Sequence, residues 1–184
     1  MGAATTAGTI DALCEWVRES VCPQITSKVP PRDGNVASYV YETANPAVFE
    51  MYMPDRGRLA DADGSSYPSV TVQLVDSTDS LRGRVTRFRL VLGIWSPGEF
   101  DGGELSGSME GWREVANGLD AIRAALDAAD EVAGGYVDRE RGVSCGPYSE
   151  DGQVMLTYPY FFGRVDFDLV TGAPAPAMRF EGLL

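Results

Sequence analysis

The chain is 184 residues long, enough to fill one well-packed domain and short for two. Its 27 acidic residues against 15 basic ones give a formal net charge of −12, which disfavours gripping nucleic-acid phosphate or an anionic membrane. Histidine is absent, so the commonest general base, the usual nucleophile-activating dyads and most transition-metal sites are removed together.

A hydrophobic content of 44% with 10% aromatics is ordinary globular composition and argues against wholesale disorder. No apolar run approaches the roughly 20 residues of a membrane span, and the first residues lack a charged stretch followed by an apolar core. A soluble, intracellular protein is expected. Cys14, Cys22 and Cys145 form an odd, unclustered set that fits reduced thiols, with a Cys14–Cys22 or Cys22–Cys145 disulfide as the alternative.

In chain order, residues 1–8 are a small-residue tail, expected to be flexible. Thr9 is placed to cap a helix with Ile10, Leu13, Trp16 or Val17, and Val21 on one face, closed by Pro23. A single α+β domain is expected over residues 9–171, with 28–66 an irregular or hairpin insertion. Turn signals at Pro30-Pro31, Asp33-Gly34, Asn45-Pro46, Pro54-Asp55 and Asp63-Gly64 punctuate it, around strand-like runs at Val36–Tyr41 and Val48–Met53. Asp61-Ala-Asp-Gly64 lacks the further ligands of a calcium loop and reads as a solvated turn.

Ser69–Val75 alternates as a strand, Asp76–Gly83 reads as a polar turn, and Arg84–Trp95 is the longest strand candidate, with Phe88, Leu90, Leu92 and Ile94 on one face. Ser96–Gly111 reads as an acidic, glycine-rich loop, with Ser96–Gly107 expected to be mobile in the isolated chain and to order against a neighbour. Ser108 is placed to cap a helix carrying Trp112, Val115, Ala116, Leu119, Ile122, Leu126 and Ala129 at 3.6-residue spacing, with Gly134-Gly135 as its stop. Tyr136–Tyr148 is ambiguous; Val154–Tyr158 and Gly163–Val170 complete the strands. In the last of these Val165, Phe167 and Leu169 alternate with Arg164, Asp166 and Asp168. Residues 172–184 read as an extended tail. The fold expected is α+β, a mainly antiparallel sheet with two principal helices packed on one face, Leu119, Ile122 and Leu126 lying over Leu90, Leu92, Val165 and Phe167.

No glycine-rich phosphate loop follows a strand into a helix, and Lys28, the sole lysine, precedes Val-Pro-Pro rather than a Walker context. Asp166 with Asp168, and Glu99 with Asp101 and Glu104, are the carboxylate sets available for acid–base or metal work. On an exposed strand face and in a loop they read instead as ion-paired or solvated surface. Arg82, Arg84, Arg87 and Arg89 concentrate positive charge within eight positions. They are either a strand face paired with neighbouring acids or a strip that meets an acidic partner. For a body of this charge that self-associates, Arg84, Arg87 and Arg89 facing Glu99, Phe100, Asp101 and Glu104 of a neighbour is the interface to expect. No catalytic residue, metal or cofactor is expected.

Three pieces resemble the tail terminator (tail completion, minor tail) proteins of long-tailed bacteriophages and prophages. They are Tyr67-Pro-Ser-Val-Thr-Val-Gln-Leu74, the acidic glycine-rich segment feeding Trp112–Leu126, and Tyr158-Pro-Tyr-Phe-Phe-Gly-Arg-Val-Asp-Phe167. The resemblance implies a sheet-plus-helices fold and a non-enzymatic assembly role. It implies a ring, typically of six copies, that caps the tail tube, stops its growth and offers the surface that joins the head. The implied partners are further copies of the chain, the major tube protein and a head-completion or neck protein, with no specific nucleic acid and no membrane. The implied location is the host cytoplasm during assembly and the head-proximal end of the virion tail. Another neck component, or a small hydrolase or ligand-binding domain using the acidic loop, are the alternatives.

Overall fold

A computed structural model describes residues 5–31, 42–53, 66–80, 83–101, 104–150, 153–155 and 157–172. The strand expected at Val36–Tyr41, the Asp61–Gly64 turn, Arg82 and the 173–184 tail lie outside these residues.

The first helix, α1 (Thr6–Trp16), starts one turn earlier than expected: Thr5 is the cap, its side chain accepting from the Gly8 amide at 3.1 Å. Thr9 sits inside the helix, where its hydroxyl donates back to the Thr5 carbonyl at 3.1 Å, the local bond that Thr makes one turn into a helix. The helical path continues through a π turn at Val17–Val21 and a 3-10 turn at Cys22–Gln24 that contains Pro23.

Next come β1 (Ser27–Lys28) and β2 (Thr43–Ala44), paired antiparallel, and β3 (Ala47–Glu50), which lies parallel to β4 (Ser69–Ser80). β4 is longer than its sequence suggests. Asp76–Ser80, expected as a turn, continues the ladder against β5 (Gly83–Trp95) after a register shift between Leu74 and Asp76. Cross-strand partners hold this polar arm, with the Ser77 and Thr86 hydroxyls 3.0 Å apart and Asp79 paired to Arg84 at 2.7 Å.

Ser96–Gly111, expected as a loop, contains a hairpin of β6 (Gly98–Asp101) and β7 (Glu104–Gly107). The helix α2 (Gly111–Ala128) follows, with Glu110 as its N-cap residue and no side-chain cap bond. Ser108, the expected cap, lies two residues too early, and its hydroxyl accepts from the Glu110 amide at 3.0 Å. The helix also stops before Gly134-Gly135. Its last turn has no basic residue, and the Arg139 guanidinium donates to the freed Asp127 carbonyl at 2.9 Å. Gly134 (φ +78°) instead forms a tight turn into β8 (Gly135–Val137).

The remaining elements are β9 (Ser144–Pro147), a small hairpin of β10 (Ser149–Glu150) and β11 (Gln153–Val154), and β12 (Tyr160–Thr171). The strand expected over Val154–Tyr158 is limited to β11; a turn bridging Thr157 and Tyr160 leads into β12. The main sheet has six strands in the order β3-β4-β5-β12-β8, with β9 beside β8 on the same edge of β12. Every pairing is antiparallel except β3 with β4. The fold is α+β.

Both helices cover one face of this sheet. Leu13, Val17 and Val21 from the first helical segment, and Val115, Ile122 and Leu126 from α2, join Val70, Val72, Phe88, Leu90, Leu92, Val165, Phe167 and Leu169 in one core. The expected packing of Leu119, Ile122 and Leu126 over Leu90, Leu92, Val165 and Phe167 is therefore observed. Two glycines set the spacing. A Cβ at Gly163 would run into Val115 and Leu119, and one at Gly118 into Leu92, so α2 lies closer to β5 and β12 than larger residues would permit.

Candidate interaction surface

The outer face of the sheet, opposite the helices, is built by the residues that alternate with the core. In register across β4, β5 and β12 stand Asp76, Arg87 and Asp168, then Gln73, Arg89 and Asp166, then Thr71, Val91 and Arg164. The strand period of two dictates this arrangement: burying Phe88, Leu90, Val165 and Phe167 forces Arg87, Arg89, Asp166 and Asp168 to the other side.

Two carboxylates anchor the face, each shared by two guanidiniums. Arg87 donates to Asp168 through Nε and Nη2 at 2.9 and 3.3 Å, and Arg141, from the turn after β8, adds a bond at 3.0 Å. The Asp168 side chain is only 2% exposed, so it lies beneath its arginines. Burial works against its ionisation, but Arg87 and Arg141 outweigh that and hold its carboxyl below the usual carboxylate range. Asp166 accepts from Arg89 Nε at 2.6 Å and from Arg164 Nη1. The Arg164 Nε is buried with no hydrogen-bond partner among the described residues. The carboxylates that might have served acid–base chemistry are thus enclosed in ion pairs.

The expected arginine strip divides. Arg87 and Arg89 lie on this outer face, but Arg84 falls on the helix side, where it bonds Asp79 and donates to Thr6 Oγ1 at 3.3 Å. It is offset from the other two by an odd number of positions, which puts it on the opposite face.

The acidic segment stands apart from the main sheet. In the β6–β7 hairpin Glu99 pairs with Ser106, Phe100 with Leu105 and Asp101 with Glu104. The register places positions 99, 101, 104 and 106 on one face and positions 100 and 105 on the other. Its base is tied by Tyr158, whose hydroxyl donates to the Pro97 carbonyl at 2.6 Å, and by Lys28, whose ammonium donates to the Gly98 carbonyl at 3.3 Å. The hairpin and the arginines of Arg87 and Arg89 are not brought together within one chain: Ser96 lies seven residues beyond Arg89 on the path of β5, roughly 23 Å at 3.3 Å per residue.

A further feature escaped the sequence. Trp112, assigned by spacing to the buried stripe of α2, is 53% exposed: in the first turn it is Gly111 that is buried, against Phe161 and Ser96, and Trp112 lies outside the buried set. With Val115, Ala116, Leu119, Pro147, Val154 and Phe161 it lines an open apolar groove of about 360 Å³ between α2 and the β9–β11 region. Met109 and Tyr158 are also exposed. Only the pairing of an aromatic with Arg113, whose guanidinium lies 4.7 Å from the Trp112 ring centre, distinguishes this position in the sequence.

The cysteines are free thiols. Cys14 and Cys22 are buried, which pushes both up to about 11, while Cys145 is exposed. Among the described residues no group of His, Cys, Asp or Glu is placed to hold a metal ion, and no helix is long and apolar enough to cross a membrane. No protein-family model matches the chain, and no curated protein matches it.

Proposed function

We propose that this chain is a non-enzymatic assembly protein, a phage tail terminator that forms a ring on the finished tail tube, ends its polymerisation and presents the surface to which the head is joined. The observation that carries the reading is the acidic β6–β7 hairpin, which among the described residues forms a two-stranded sheet of its own outside the main sheet. An isolated two-stranded hairpin has marginal stability in water and gains from a partner surface. The apolar groove beside Trp112 and the open sheet face supply further contact surface of the kind found between subunits. The acid excess, with an arginine-rich sheet face, suits a ring through which DNA passes without being held.

The partners in this reading are further copies of the chain, the tube protein and a neck protein. The test is to add the purified chain to tube protein polymerising in vitro and to examine the products by negative-stain microscopy. Rings at one tube end and shortened tubes are expected. Tubes of unchanged length and uncapped ends, from a folded chain, would overturn the reading.

A further inference from the structure

We propose that the C-terminal residues 178–184 fold back onto the apolar groove beside Trp112 in the same chain. The contact is independent of the ring reading, which stands or falls on tube capping.

The groove suits an apolar occupant. Val115, Leu119 and Phe161, each less than a tenth exposed, form its floor, and Trp112 and Val154, 53% and 46% exposed, stand at its rims. On its wall Gly146 is open, with no atom within 4 Å of where a Cβ would stand. Covering such a surface is favoured in proportion to the apolar area removed from water.

The chain supplies a segment of matching character. β12 ends at Thr171, and 12 residues follow Gly172. The first five, Ala-Pro-Ala-Pro-Ala177, are small. Each proline fixes its own φ and biases the residue before it to an extended backbone, so this stretch has the composition of a spacer. The last seven, Met-Arg-Phe-Glu-Gly-Leu-Leu184, hold every large apolar side chain of the tail. Met178 and Phe180 alternate with Arg179 and Glu181, the period of an extended segment laid on an apolar surface.

The lengths agree. Phe161 lies ten positions back along β12 from Thr171, roughly 33 Å. β8 and β9 pair with the same edge of β12, so a path outside them adds two strand spacings sideways, about 10 Å. The direct path is therefore roughly 35 Å, and the tail, fully extended, covers roughly 37–40 Å. On that path Phe180 arrives near the level of Arg164, beside Gly146 and Pro147, and Leu183 and Leu184 near that of Phe161. A returning tail runs parallel to β9, whose other edge pairs with no described strand. A tethered segment acts at an effective concentration on the order of millimolar, which favours its own groove over that of another molecule. The groove is then closed in the isolated chain, and a neighbour that uses this surface first displaces the tail.

Trp112 is the reporter, since Trp16 is partly buried and Trp95 is buried. The full chain is compared with two variants, and Trp112→Phe assigns the signal. Phe180→Ser, Leu183→Ser and Leu184→Ser together remove the apolar side chains. Deletion of residues 173–177 keeps them but leaves a tail of roughly 23 Å, too short for the groove. Both variants should keep the parent circular dichroism, while Trp112 emission moves to longer wavelength and acrylamide quenches it more strongly than in the parent. Equal quenching in the parent and the triple variant would overturn the docking: at a high level the groove is empty, and at a low level something else fills it. A deletion variant that quenches like the parent would overturn the same-chain path. So would a parent that sediments as a dimer with a monomeric triple variant, which would give the tail to a second copy.

Discussion

The two faces of the central sheet show the same strands serving two different ends. On the inner face Val70, Leu90, Leu92, Val165 and Phe167 are closed over by α1 and α2, and glycines at 118 and 163 draw the layers together. On the outer face the alternate residues of the same strands form two arginine–aspartate triads, and no described helix covers them. Hydrophobic burial defines the fold from the inner side. The outer side contributes ion pairs in which nearly buried carboxylates are held by partly exposed arginines. One face is built from apolar residues buried under the helices, the other from paired charges.

This division can be broken by substitution, and the largest effect belongs to the inner face. Ile122 is fully buried between α2 and the sheet. Ile122→Ala should cost about 2–5 kcal/mol in chemical denaturation with an unchanged m-value. A loss near zero would mean that the helix layer does not hold the sheet.

A smaller effect is expected from the outer face. Asp168→Asn leaves Arg87 and Arg141 without their shared carboxylate and should cost about 1.5–3 kcal/mol, the range for hydrogen bonds to charged groups. The pH dependence follows from the lowered carboxyl. In the folded chain Asp168 ionises more readily than the unfolded carboxylate near 3.9. Its contribution is therefore complete above that unfolded value and disappears as pH falls through the folded one. Below about pH 4 the parent should lose stability faster than Asp168→Asn. Parallel pH profiles for the two proteins would show that the triad contributes nothing to folding.

The two faces were also unequally legible in the sequence. Alternation of Val165, Phe167 and Leu169, and the spacing of Val115, Leu119, Ile122 and Leu126, report directly on burial, so the inner face and its helix could be read. The ion-paired reading of Asp166 and Asp168 followed from the same alternation. Partner choice did not, because Arg141 comes from a turn whose position depends on the pairing of β8 with β12. Polar composition hid the remaining strands. Apart from Phe100 and Leu105, Asp76–Ser80 and the β6–β7 strands consist of Asp, Ser, Thr, Gly and Glu, residues typical of turns, and only pairing across strands makes them extended. Trp112 was misread because the buried stripe of α2 runs through Gly111 and Gly118, and a glycine carries no hydrophobic signal in the sequence.

The central claim is that the core face is complete in one chain while the hairpin and outer face await a neighbour. Amide hydrogen exchange on the isolated and the assembled protein tests it most directly. Leu90, Leu92, Val165 and Phe167 on β5 and β12 should be strongly protected in both states. Amides of β6 and β7 should exchange quickly in the isolated chain and slow markedly on assembly. Equal protection of that hairpin in both states would contradict the account.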